Sequence, residues 1–154
     1  MNAPQSQRTY IHANALIVGE TGLLLRGASG AGKSALTLEL LSLARARGDF
    51  AGLIGDDRIS LRSHGGRLIA RPHPEIAGLI EARGMGLLRL PYETGGVIHA
   101  IVDLTPHTTL ERLPEPATQM AALLGVSLPR RCVASENPRA GIMIIQFIQM
   151  LKQN

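Results

Sequence analysis

Lysine is nearly missing from this 154-residue chain: Lys33 and Lys152 stand against 14 arginines. Cysteine and tryptophan are scarcer still. The single Cys132 excludes an internal disulfide and fits a reducing compartment. With no tryptophan, two Phe and two Tyr, there is little for nucleobases to stack on. The net charge of +4 and a pI of about 10.0 therefore do not point to nucleic acid, because the arginines are scattered rather than massed. Phosphorylated ligands and an acidic protein surface suit the same charge balance. Long apolar runs are also lacking. The most apolar late segment, Ile142 to Leu151, is interrupted by Gln146 and Gln149 and is too short to cross a bilayer. No signal peptide is read before residue 10. A soluble cytoplasmic protein, bound to neither membrane nor nucleic acid, is the expectation.

What is present reads as one domain, residues 10–154, behind a flexible polar tail at 1–9. Such a length buries about two-thirds of the unfolded surface. Ile11 to Val18 reads as a strand, and Gly19-Glu20-Thr21-Gly22 as the hairpin turn that returns the chain along Leu23 to Arg26. A helix follows over Lys33 to Arg47, with apolar residues at 36, 38, 40, 41, 43 and 44. Phe50 to Ile54 is a short buried strand, and Ile59 to Arg62 with Arg67 to Ala70 form a second hairpin. Pro74 is placed to start a short helix reaching Ala82, closed by Gly84. Leu87 to Leu90 and Val97 to Leu104 read as strands. Prolines 106, 114, 116 and 129 punctuate a loop-rich stretch around a further strand, and residues 139–152 form the last helix. The fold class is mixed α/β, rich in antiparallel hairpins.

The octet Gly27-Ala28-Ser29-Gly30-Ala31-Gly32-Lys33-Ser34 fits the phosphate-loop pattern G-x-x-x-x-G-K-[ST], with a strand before it and a helix after. Glycines let successive N–H groups turn toward phosphate oxygens, and the helix N-terminus adds partial positive charge. Lys33 then reaches the β- and γ-phosphates, and the Ser34 hydroxyl sits on Mg²⁺. The plainer alternative is a glycine-rich turn capping a helix. Against it, a chain that uses arginine almost everywhere places a lysine here, where a slim point charge must enter a phosphate cradle. The strand feeding the loop is expected to pair antiparallel with its predecessor, unlike a standard doubly wound sheet.

Three further groups could supply chemistry. Asp56-Asp57 closes an apolar strand, where a carboxylate reaches magnesium or a proton on the incoming nucleophile. Neighbours on extended backbone point to opposite faces, so the two would divide these jobs; a simple turn signal is the alternative. His12 lies 15 residues before Gly27, on the strand expected beside the loop strand, either as a catalytic residue or, as is commoner for a lone His there, as a satisfied structural one. Glu81-Ala82-Arg83-Gly84-Met85-Gly86-Leu87-Leu88 combines a carboxylate and a guanidinium with two close glycines. It is either a site element near a helix end or a solvated helix stop.

In order, His12, GASGAGKS, Asp56-Asp57 and EARGMGLL resemble the catalytic domain of the HPr kinase/phosphorylase family, the last block being similar to its E-x-R-G-x-G signature. The resemblance covers about residues 10–140 and is to the short, alphaproteobacterial form without an additional N-terminal domain. It implies ATP-dependent phosphorylation of a serine on the phosphocarrier HPr or a nitrogen-branch relative. It also implies phosphorolysis, in which inorganic phosphate removes that group as pyrophosphate. By the same resemblance, Lys33 and the loop amides hold the transferring phosphate, and Ser34 with Glu81 binds Mg²⁺. Asp57 serves as base and, in reverse, acid; Asp56 is its charged neighbour, and His12 sits behind both. Arg112, in Leu110-Glu111-Arg112-Leu113-Pro114, resembles the family's essential arginine. A hexamer is implied, with substrate touching a neighbour's last helix. The late Pro-Arg-Gly-Arg segment of the family is only loosely echoed by Leu128 to Arg131 and Asn137 to Arg139. A small-molecule kinase and an idle nucleotide-sensing module remain as rival readings of the loop.

Overall fold

The structure is a computed structural model that describes residues 8–110 and 115–153. Alternation in three strands decides the layering. Along β2 (Asn14–Val18), β3 (Thr21–Arg26) and β10 (Ala100–Thr105), successive side chains point to opposite faces, and the strand interiors are mostly apolar on both. Leu16, Leu23, Leu25, Ala100 and Val102 face one side, where α1 (Lys33–Ala46) and α2 (Ala140–Lys152) cover them with Leu36, Leu40, Ile144 and Phe147. Ala15, Leu24 and Ile101 face the other side, under Ile59, Leu61, Leu68 and Ile98 of a second sheet. A sheet coated on both faces needs this continuous apolar character rather than a polar alternate.

The central sheet has six strands in the order β11-β12-β10-β3-β2-β4, with β4 at Ala51–Gly55, β11 at Met120–Leu123 and β12 at Val126–Ala134. β10 runs parallel to both β3 and β12, while β2 pairs antiparallel with β3 and β4, as expected for the strand that feeds the glycine-rich turn. The covering sheet is antiparallel throughout, in the order β1-β5-β6-β9 (Arg8–Ile11, Ile59–His64, Arg67–Pro72, Gly96–Ile98). A two-stranded hairpin, β7 (Leu79–Ala82) with β8 (Gly86–Arg89), stands apart from both. Among the described residues, no helix is long and apolar enough to cross a membrane.

Four expectations need correction. Arg8 and Thr9, read with the tail, pair in β1 with Arg62 and Leu61; residues 1–7 lie outside the described residues. Ile11 to Val18 is not one strand, because the chain bends at His12 and passes from the covering sheet to the central one. His12 therefore lies in that bend and not on the strand beside the loop. The third correction concerns residues 74–82. A single 3₁₀ turn at Pro74–Ile76 is followed by β7, not by a helix. Gly78 at φ 79° ends the turn, and Ile80 and Ala82 are buried while Glu81 points out, a two-residue period that a helix cannot satisfy. Lastly, Val97 to Leu104 divides into β9 and β10 around His99, whose Nδ1 accepts the N–H of Gly22 at 2.9 Å.

That last contact is close because Gly22 has no side chain. A Cβ there would lie 1.9 Å from the Val97 carbonyl oxygen, which is backbone and cannot rotate away. Gly22→Ala should lower the unfolding free energy by about 2–3 kcal/mol, the range of an overpacked core. Urea titration checks this, with the midpoint falling and the slope unchanged.

Candidate active site

The turn between β3 and α1 is held in shape by its own backbone. Gly30 and Gly32 adopt φ of 82° and 94°, conformations that disfavour any side chain. Gly32 caps the 14-residue helix α1 without a side-chain hydrogen bond and with no acidic residue in the first turn. The N–H groups at this end thus face the turn with their partial positive charge uncompensated. Lys33 is almost fully buried, and its ammonium donates to Gly27 O at 2.8 Å and to Ala28 O at 3.3 Å. It thereby wraps back onto the loop that precedes it.

Ser34 Oγ donates to Asp56 Oδ1 at 2.6 Å. Asp56, only 6% exposed just beyond the end of β4, also accepts from Asn14 Nδ2 at 2.7 Å and from the Glu81 N–H at 3.0 Å. Three donors satisfy the hydrogen-bonding capacity of this buried side chain. Asn14 does most of the wiring. Its Nδ2 also reaches Thr37 Oγ1 at 3.0 Å, and its Oδ1 accepts the Asp57 N–H at 2.8 Å. Ala13 N–H adds a bond to Asp57 O at 3.1 Å. Clamped at both its N–H and its C=O, Asp57 is held at φ 63°, a left-handed conformation that Asp tolerates better than most residues.

That local twist separates the two aspartates. Asp56 turns inward to Ser34, while Asp57 lines a cavity of about 580 Å³ with Ser29, Lys33, Ser34, Glu81 and Arg83. His12 Nδ1 lies 3.9 Å from Asp57 Oδ1, both side chains being well exposed, so water screens the pair. Of the residues picked from sequence, Gly27, Ala28, Ser29, Gly30, Ala31, Gly32, Lys33, Ser34, Asp56, Asp57, Glu81 and His12 are gathered at or beside this cavity. Glu81 comes from the β7 strand and not from a helix end. Arg112 lies outside the described residues. Asn14 and Thr37 were missed; the signal for Asn14 was a lone amide within the apolar run Ala13 to Val18.

On the far face of the sheet, Asp103 of β10 sits between Arg26 and Arg130. Burial pushes the Asp103 carboxyl up, but hydrogen bonds from Arg26 and then Arg130 outweigh it and hold the group below its ordinary range. The same hydrogen bond raises Arg26. A carboxyl lowered in the folded state contributes stability that is complete above the unfolded value of about 3.9 and is lost as pH falls through the lower folded value.

A glycine turn wrapped by a lysine at a helix N-terminus, with a serine tied to a strand-end carboxylate, lies within a mixed α/β fold and has the form expected of a phosphate-binding loop. Residues 4–152 match the family model described as HPr Serine kinase C-terminal domain. The chain belongs to that family. An HPr kinase/phosphorylase from Polaromonas naphthalenivorans is 30% identical over 154 residues, covering 92% of this chain and 46% of that protein. One from Malacoplasma penetrans is 30% identical over 135 residues, covering 80% and 42%, so this chain spans less than half the length of these relatives. The solved Hpr(Ser) kinase/phosphatase from Coxiella burnetii shares the fold, with a TM-score of 0.78 at 24% identity over 94% of this chain and 91% of that one.

Removing the amide hub should show in stability. Asn14→Ala strands the Asp57 N–H and takes one donor from buried Asp56, an expected loss of about 1–3 kcal/mol in chemical denaturation.

Proposed function

We propose that this chain transfers the terminal phosphoryl group of ATP to a serine of an HPr-type phosphocarrier, and catalyses the reverse phosphorolysis. The observation that carries the reading is the 2.6 Å bond from Ser34 to Asp56 beside the phosphate loop, with Asp57 opening onto the same cavity. Family membership supports it.

In the forward direction Asp57 accepts the serine proton as the new O–P bond forms and the bond to ADP breaks. In reverse, a phosphate oxygen attacks the phosphoserine, Asp57 returns the proton to the departing serine oxygen, and pyrophosphate leaves. One carboxylate serves both directions, as microscopic reversibility asks. By family likeness His12, whose Nδ1 lies 3.9 Å away, is assigned the role of tuning it. Lys33 and the loop amides balance charge on the phosphates. The donor set fits Mg²⁺: the hydroxyl of Ser34 and the carboxylate of Glu81 line one cavity and are hard oxygen ligands. When bound, the ion offsets phosphate charge. Asp56 fixes the Ser34 hydroxyl, leaving its lone pairs for the metal. Arg112 is assigned to the phosphoryl oxygens by family likeness.

The same reading places the protein in the cytoplasm as a hexamer. On α2, Ile142, Met143 and Met150 are exposed although the helix already buries Ile144, Ile145, Phe147 and Ile148, so a second apolar stripe is left for a subunit or substrate contact.

The test mixes purified protein, MgATP and HPr and follows serine phosphate by mass spectrometry. One added phosphate is expected, with pyrophosphate released when inorganic phosphate is then supplied. Asp57→Asn should slow transfer by about 10²–10⁴-fold, the usual worth of a general base, while nucleotide still binds. Near wild-type transfer by Asp57→Asn would contradict the assignment.

A further inference from the structure

The phosphate loop is anchored at its entry by a group that the proposed reaction does not use. Arg26 ends β3, and Asp103 is its register partner on the neighbouring parallel strand β10. Arg26 Nε donates to Asp103 Oδ1 at 2.7 Å and Nη2 to Oδ2 at 2.8 Å, a two-pronged match of guanidinium to carboxylate. From β12, Arg130 Nε donates to the same Oδ2 at 2.5 Å. One carboxylate thereby ties three adjacent parallel strands together at the end where the loop begins.

As a stabiliser alone, such a cluster is a poor choice, since apolar residues of like size would do as well at a half-buried position. Its place in the chain is more informative. The residue after Arg26 is Gly27, and the residue after Asp103 is Leu104. A Cβ on Gly27 would lie 3.1 Å from Leu104 Cβ and 3.2 Å from Leu104 O. Two consecutive residues of β10 thus hold two consecutive residues of the loop entry, one by hydrogen bonds and one by contact. Gly27 O and Ala28 O in turn accept the Lys33 ammonium. The position of that charge is inherited from the Gly27–Ala28 backbone.

We propose that the Arg26–Asp103–Arg130 clasp is the positioning device of the phosphate loop: Asp103 fixes Arg26, and through it the Gly27–Ala28 peptide and the Lys33 ammonium. Arg26 and Asp103 are positioning residues and touch no phosphate. The inference rests on reading the loop as a nucleotide site, and deepens that reading by naming what sets the site's geometry. Arg130 and Asp103 remain paired when Arg26 is replaced, so the cluster can be opened on the loop side alone.

The experiment titrates the full chain with a fluorescent ADP analogue and Mg²⁺, alongside urea unfolding of each variant. Arg26→Met keeps a straight apolar stem and removes both bonds to Asp103. It should weaken nucleotide binding by about tenfold, short of the roughly 10²-fold that a 1 Å misplacement can cost. Arg26→Lys keeps the charge but fills one carboxylate oxygen at a time, and should fall between wild type and Arg26→Met; it carries the comparison if Arg26→Met does not fold. Ile101→Val removes one methyl group from the same strand's core and leaves the clasp alone. It should lose stability with affinity unchanged. Affinity of the folded Arg26 variants within twofold of wild type overturns the proposal, as does an equal loss in Ile101→Val. Failure of the wild type to bind the analogue overturns the nucleotide-site reading and this inference with it, whereas unchanged affinity in the variants overturns the clasp alone.

Discussion

The short hydrogen bond from Ser34 Oγ to Asp56 couples the first turn of α1 to the end of β4, and the rest of the site is arranged around it. Asp56 is nearly fully buried, and Ser34, Asn14 and the Glu81 N–H all donate to it, so its oxygens are not left unsatisfied. Those donors come from α1, β2 and β7. A buried carboxylate that must be satisfied therefore draws separate elements into one geometry, and it sets how the glycine turn lies relative to Asn14 and Glu81.

The antiparallel entry to the loop follows the same logic. Because β2 lies directly between β3 and β4, an amide on β2 can touch the helix, the buried aspartate and the backbone of the exposed one. Asn14 takes all three roles. Asp57 is then forced into a left-handed conformation, and its side chain leaves the protein interior for the cavity. One aspartate is enclosed by its donors and the other opens onto the cavity, although they are adjacent in sequence. This division suits a single carboxylate that both removes and returns a proton.

Much of this was legible in the residues. The glycine-rich turn, the hairpin that feeds it, α1 and the strand leading to Asp56 are local features, marked by glycines and by apolar period. Glu81 was legible as a residue but not as a strand residue, since Pro74 signals a helix start and only Gly78 at positive φ stops it after one turn. His12 was assigned to the wrong element because an apolar run hid the bend between two sheets. Asn14 and the Arg26–Asp103 pair join residues 42 and 77 positions apart, and nothing local announces such partners. Sequence pattern reports what each segment prefers; it does not report which buried polar group another segment must satisfy.

The central claim is that Asp56, by holding the Ser34 hydroxyl, sets the metal-dependent part of phosphate binding. The direct measurement compares ADP affinity with magnesium and with a chelator, in wild type and in Asp56→Asn. The account predicts that magnesium tightens binding to the wild type and that this gain disappears in Asp56→Asn while metal-free affinity persists. A variant that keeps the whole magnesium gain would contradict it.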